Sequence, residues 1–347
     1  MSGVRSSDIA LFFRRLHAML QAGVSLPNSL SYLEIGEPNP AFRSVLQGCL
    51  DTVLKGFPLS TGMRRYSAFS TLTVEMVANG EKMGSLVATF GHLSTLQERQ
   101  IERRQRIVSA MAYPLCLLTV MLLVVGLFVT FVAPGDEGLF AVLGDDVPWP
   151  SQVLIALSGW LSNPWLMGVT ALILGTCVGG FRKIYRDSPA FRLQVDTFCL
   201  DLPVIGPLLS RLDSARCLDV LASSLKVGLS IVAALKNSIR VASNAKFRQD
   251  LEAANSAIMQ GQGLGSALAD STSIPRFATS LIEVAEEAGQ LDEALERTAA
   301  ILDDDVNDAL SRAVALAEPL LLSVGGVAAG FVAVATFLPI IRLVSNL

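Results

Sequence analysis

GEKMGSLVATFGHLSTLQERQIERRQRIVSAMAYPLCLLTVMLLVVGLFVTFVAP, residues 80–134, passes from a glycine-marked turn through a charged helical stretch into an apolar run with a proline at either end. Leu86, Phe90, Leu93 and Leu96 recur at helical spacing. Arg99, Arg103, Arg104 and Arg106 then precede Leu115–Val132, which holds no charge over 18 residues. At ~1.5 Å per residue that run reaches roughly 27 Å, close to the ~30 Å hydrocarbon core of a bilayer, and 110–112 extend it. A membrane span is predicted there. Pro114 sits one turn inside, where it would kink the helix or mark a new start, and Pro134 marks where the chain leaves.

The same pattern occurs twice. Shifted by 205 residues, Gly23 falls on Gly228, Gly56 on Gly261, Glu81 on Glu286, Gly84 on Gly289, Pro114 on Pro319 and Pro134 on Pro339. No gap is needed from Leu16 to Pro134, so the repeated unit is a helical module with its own anchor. Within the first copy, Ile9, Phe12, Phe13, Leu16 and Leu20 form one apolar stripe, ending at Gly23. Leu30 and Leu33 mark a second helix, Phe42 to Val53 a third, and Thr71–Met83 another after a short piece ending near Tyr66. No alternating run argues for a strand. The second copy repeats the plan from Ser214, after a stiff turn at Leu202, Pro203, Gly206 and Pro207.

Of 347 residues, 51% are apolar and 17% charged, too apolar a balance for a wholly soluble protein. The five cysteines form no C-x-x-C pair, so neither a disulfide framework nor a zinc site is indicated. Met1–Asp8 lacks the apolar core of a signal peptide. Between Pro134 and Trp165 there is no Lys or Arg, whereas Asp136, Glu137, Asp145 and Asp146 are acidic. Against the arginines before the first span, that bias places the N-terminus in the cytoplasm and the loop outside. Asn163 and Pro164 read as N-cap and N1 of a second span, and Trp149, Trp160 and Trp165 as interfacial anchors around a short helix.

The expected fold class is an all-α membrane protein: two repeated cytoplasmic helical bundles plus three transmembrane helices. Its expected segments are a first module over 1–110, spans over 111–133, 165–181 and 319–341, an external loop with an interfacial helix over 134–164, a linker over 182–213, a second module over 214–318 and an external tail over 342–347. The modules differ in charge: residues 1–108 carry 12 basic against 8 acidic side chains, and 182–318 carry 14 against 19. Either their surfaces drifted independently, or they face each other or different partners.

The joint at Glu81 and Gly84, echoed at Glu286 and Gly289, is the clearest candidate site. Glycine permits a left-handed turn there, and a carboxylate one turn earlier can serve the N-terminus of the helix that follows, or meet a partner. Pro114, Pro134, Pro319 and Pro339 mark where the chain enters and leaves the membrane. Gly261, Gly263 and Gly265 imitate a phosphate loop but follow a helix and lack a Gly-Lys-Ser/Thr, so no ATP site is expected. His17 and His92 have no second ligand at i+4. Asp303, Asp304, Asp305 and Asp308 read as a solvated helix face, with a divalent cation as the alternative. The spans hold no Asp, Glu, Lys or Arg, while Gly325, Gly326, Ala329 and Gly330 form a small-residue face suited to close helix packing. No catalytic residue, cofactor or metal is expected.

The joint at Glu81–Leu86 and its variant at Glu286–Leu291, Leu202-Pro203-Val204-Ile205-Gly206, Tyr113-Pro114 and Leu338-Pro339-Ile340 together resemble the type II secretion system F family, over nearly the whole chain. The second joint departs in carrying Ala285 where the family prefers glycine. The resemblance implies a non-enzymatic platform protein in the bacterial inner (cytoplasmic) membrane, serving type II secretion or type IV pilus assembly. It implies as partners a cytoplasmic hexameric secretion or pilus ATPase, other inner-membrane assembly components, pilin or pseudopilin subunits and further copies of itself as a homo-oligomer, with no direct nucleic-acid contact. A small-solute transporter or another membrane scaffold is the alternative, the first disfavoured by the uncharged spans.

Overall fold

The computed structural model describes residues 3–131, 148–203 and 205–345, in which every regular element is an α-helix. Pro134 and the acidic Asp136, Glu137, Asp145 and Asp146 lie outside the described residues. The chain forms two compact units, Met1–Arg106 with Leu193–Ala309 and Ile107–Arg192 with Leu310–Leu347.

In the first unit, α1 (Ser6–Gln21), α2 (Leu26–Ile35), α3 (Pro40–Leu54), α4 (Leu59–Met63), α5 (Thr71–Met83) and the start of α6 (Leu86–Phe131) form one bundle. Short polar residues set their starts. Asn39 accepts from the Ala41 N–H with Pro40 at the first helical position, and the Ser70 hydroxyl accepts from Thr73 N–H at 3.1 Å. Phenylalanines fill the core: Phe13 stacks on Phe90 at 6.0 Å between ring centres, and Phe12 meets Phe42 edge-on at 5.7 Å. Burying each such ring stabilises the fold by about 2–3 kcal/mol.

The second bundle repeats these helices at the 205-residue spacing: α11 (Ile231–Val241), α12 (Ala245–Met259), α13 (Leu264–Ala269), α14 (Arg276–Glu287) and the start of α15 (Leu291–Ser345) each begin 205 residues after their counterparts. All six positive-φ glycines among the described residues fall into three pairs at that spacing. The exception is α10 (Ile205–Lys226), which starts before the expected module at Ser214. Gly206 and Pro207 belong to its first turn, not to the turn before it, because a proline there forfeits only an N–H that has no intrahelical acceptor. The preceding helix, α9 (Pro189–Asp201), is also tied down: the buried Asp196 accepts from the Ala245 N–H at 2.7 Å, capping α12. This core is lined by Leu218, Leu221, Leu235, Phe247, Ile282 and Leu302. Val220 on α10 and Val227 just past its end pack into the first bundle's core instead, so α10 serves both.

The second unit contains the apolar part of α6, α7 (Trp149–Ser162), α8 (Pro164–Asp187) and the apolar part of α15. Three of the described helices, α6, α8 and α15, are long and apolar enough to cross a membrane. Asn163 accepts from the Trp165 N–H at 3.1 Å with Pro164 at N1, the cap expected from the sequence. The short helix α7 packs by Leu154 against Val129, Val332 and Ala335, and its Ser151 hydroxyl donates to the Ala335 carbonyl at 2.6 Å.

Candidate functional site

Glu81 reaches a different helix from the one expected. Its carboxylate accepts from the Leu59 N–H, from the Ser60 N–H at 3.2 Å and from the Ser60 hydroxyl at 2.5 Å, so it caps α4 and not α6. Glu286 does the same in the second copy, accepting from Leu264 N–H at 2.7 Å and Gly265 N–H at 2.8 Å at the start of α13. The reason lies in the turn. Gly84 (φ 67°) and Gly289 (φ 71°) fold α6 and α15 back, which points the glutamates sideways at a short helix lacking a side-chain cap of its own.

The strongest electrostatic arrangement joins the repeats. Arg103, 7% exposed, donates through Nε to Asp303 at 2.6 Å and through Nη2 to Asp303 at 2.7 Å and to Asp219, itself 2% exposed. Arg99, one turn earlier, bonds Asp219 at 2.7 Å and Glu296 at 3.0 Å, and Lys226 closes the circuit on Glu296. Burial pushes the Asp219 carboxyl above its ordinary value against the pull of Arg103 and Arg99. The hydrogen bond from Lys226 holds Glu296 below the usual carboxylate range, with the Lys226 and Arg99 charges adding to it. Around the network lie two polar cavities, one of about 140 Å³ lined by His92, Arg99, Asp219, Lys226 and Glu296, the other of about 180 Å³ against Arg103, Arg106 and Asp304. Arg103 Nη1 is buried without a hydrogen-bond partner, and burial together with the Lys226 charge lowers the His92 pKa.

Sequence reading missed this site, although two signals pointed to it. Arg99 and Arg103 read as the basic flank of a span, yet they are consumed by pairs with the second repeat. The opposite charge balance of the two repeats was the other, and here those charges meet. The aspartate run is likewise not simply a solvated face, since Asp303 binds Arg103 and Asp305 lies 3.5 Å from Arg211. Outside the network, Asn79 donates to the Val227 carbonyl and Arg240 pairs with Glu75 at 2.8 Å.

In the second unit, Pro114 and Pro319 lie inside uninterrupted helices, so Pro114 marks no new start. The residues before them, Tyr113 and Glu318, occupy equivalent positions of the repeat, and the tyrosine hydroxyl bonds the Glu318 carboxylate at 3.2 Å. Pro339 is within α15. Of the small residues, Gly325 faces α6: a Cβ there would stand 3.0 Å from the Met121 sulfur, whereas Gly326 and Gly330 face open space. Val125, Val129, Leu154, Val327 and Phe331 line an apolar groove of about 550 Å³. Among the described residues no cluster of three metal-ligating side chains occurs, and the polar cavities offer ion pairs and room for water, not a nucleophile beside a base.

Comparison with known proteins agrees with this duplicated architecture. A family model described as type II secretion system protein F matches residues 12–134 and again 217–339, the two copies at their 205-residue spacing. The chain is 31% identical to a type IV pilus assembly protein PilC of Thermus thermophilus, over 98% of this chain and 83% of that protein. It is 30% identical to a type II secretion system protein F of Xanthomonas campestris, over 97% and 83%. Against the type IV pilus assembly protein TapC of Aeromonas hydrophila it is 28% identical, over 98% and 82%.

Proposed function

The chain belongs to the type II secretion system protein F family, and from that premise we propose that it is the membrane platform on which a type II secretion or type IV pilus filament is assembled. The observation that carries the reading is a pair of duplicated helical bundles, each continued by one unbroken helix, α6 or α15, into an uncharged apolar span. Such a chain transmits force through helices and works by contact, not bond chemistry. The membrane is the bacterial inner membrane, with the N-terminus and both bundles in the cytoplasm, in keeping with the arginines before the first span and the acidic loop after it.

On that side the bundles meet a cytoplasmic hexameric ATPase, which supplies the energy, since the chain has no phosphate loop of the Walker type. In the membrane the spans meet pilin or pseudopilin subunits and other inner-membrane components, and the platform works as a homo-oligomer. A small rotation of the bundles passes into the spans through α6 between Arg99 and Leu118. Inserting Gly-Pro after Arg106 breaks that rod. The variant is expected to remain in the membrane and to abolish filament assembly or secretion when it replaces the native protein; normal assembly would refute the coupling. Co-purification of the unaltered protein with the ATPase, crosslinked from each bundle, tests the partner.

A further inference from the structure

The junction between the repeats is made of two unlike surfaces. The first repeat contributes Glu75 and Asn79 from α5 with Arg99 and Arg103 from α6. The second contributes Asp219 from α10, Val227 just past its end, Arg240 from α11, and Glu296 and Asp303 from α15. Because the chain is duplicated, each surface has a counterpart 205 residues away that the junction does not use. Arg14, Ala22 and Ile35 on the first repeat stand where Asp219, Val227 and Arg240 stand on the second. Ser280, Val284 and Asp304 on the second stand where Glu75, Asn79 and Arg99 stand on the first. These counterparts are open to solvent: Ile35 is 70% exposed and Val284 66%, and Arg14, Ala22, Ser280 and Asp304 are exposed.

Three of the junction's pairs change in a correlated way on the unused surfaces. Arg99 with Asp219 becomes Asp304 with Arg14, both signs reversed and the attraction kept. Glu75 with Arg240 becomes Ser280 with Ile35, both charges lost together. Asn79 against the Val227 carbonyl becomes Val284 against Ala22, an apolar pair. One pair turns unfavourable, Arg103 with Asp303 becoming Asp308 with Glu98, but it falls beside Arg14, which already lies 3.7 Å from Glu98. Arg99 with Glu296 becomes Asp304 with Gly91, so that attraction is lost, and the charge match rests on Arg14 facing Asp304.

We propose that a second copy of this chain docks head to tail, its first repeat seated through α1 and α2 on the α14 and α15 face of the second repeat, reproducing between molecules the junction seen within one. Two unlike surfaces make a heterologous contact, which gives a ring if the rotation closes and an open row if it does not. The contact specifies the surface of the self-association included in the role above, but it stands without that role, and failure of filament assembly with this contact intact would bear on the role alone.

The test uses full-length protein in lipid nanodiscs large enough for several copies, with the photo-crosslinking residue benzoylphenylalanine at position 284 of one tagged population and none in a second. Crosslinked peptides from residues 14–35 of the second population are expected. Asp304→Arg in the probe-bearing copies should lower that yield at least about fivefold, and Arg14→Asp in the other copies should restore it. Crosslinks only to residues 276–308 of the other copy, no crosslink between copies, or a yield indifferent to both reversals would each overturn the proposal.

Discussion

Arg103 occupies a place that the first repeat fills by itself. The counterparts of Asp219 and Asp303 are Arg14 and Glu98, which lie 3.7 Å apart as a self-neutral pair on an exposed surface. In the second repeat both positions are acidic and would repel, and the guanidinium of Arg103 bridges them with its planar fork. Removing it leaves the buried Asp219 and the half-buried Asp303 carboxylates with only Arg99 nearby. Arg103→Met should therefore cost about 3–5 kcal/mol, and Arg103→Lys should recover only part of it, because one ammonium cannot hold both carboxylates in the same geometry. Thermal unfolding of the full-length protein in detergent measures both, and a stable Arg103→Met would refute the bridging role. The glutamate at the elbow makes a second case: Glu81→Ala uncaps α4 and should cost about 1–3 kcal/mol in the same assay. Its place was legible in the sequence but not its target, since the N-terminus it serves begins 22 residues earlier and is brought back only by the folding of α5 against α4.

At the scale of elements, the caps at Asn39 and Ser70 emerge only in the structure, whereas the start of α8 was legible because Asn163 and Pro164 mark it. The start of α10 was not, because Pro203, Gly206 and Pro207 signal a break to a local reading, and two of them turn out to lie in a helical first turn. The close approach of α13 to α14 was equally hidden. Position 265 is glycine where the first copy has Ser60, and a Cβ there would run into the backbone of Glu283. Ser60 has its own use for the side chain, a hydroxyl donated to Glu81. Gly265→Ala should thus destabilise by about 1–3 kcal/mol through overpacking, whereas Ser60→Gly loses one hydrogen bond and about 1 kcal/mol. Equal effects in a melting comparison of the two variants would mean that α13 can move away from α14, and that the approach is not fixed.

Across the whole molecule, what the sequence could not show is which surfaces of the two repeats meet, because a duplication announces two similar bundles without their relative placement. The junction that results carries its own acid sensitivity. His92 lines a cavity with Lys226, Arg99, Asp219 and Glu296, and burial with the Lys226 charge holds its folded pKa below the ordinary 6.5. The folded state keeps the ring neutral where the unfolded state would protonate it, so the unfolded chain binds more protons in that window and stability falls as pH drops from 6.5 toward the depressed value. Glu296, held below 4.5, adds a loss of the same sign as pH falls through its own depressed value. Asp219, raised above 3.8, acts oppositely, since protonation of its folded form begins at higher pH than in the unfolded chain. The two carboxylates therefore act against each other, whereas the loss that starts just below pH 6.5 belongs to His92. His92→Gln should flatten the dependence of melting temperature on pH in that window while leaving the loss at lower pH in place; an unchanged slope between pH 6.5 and 5 would show that the junction does not sense protons through this ring.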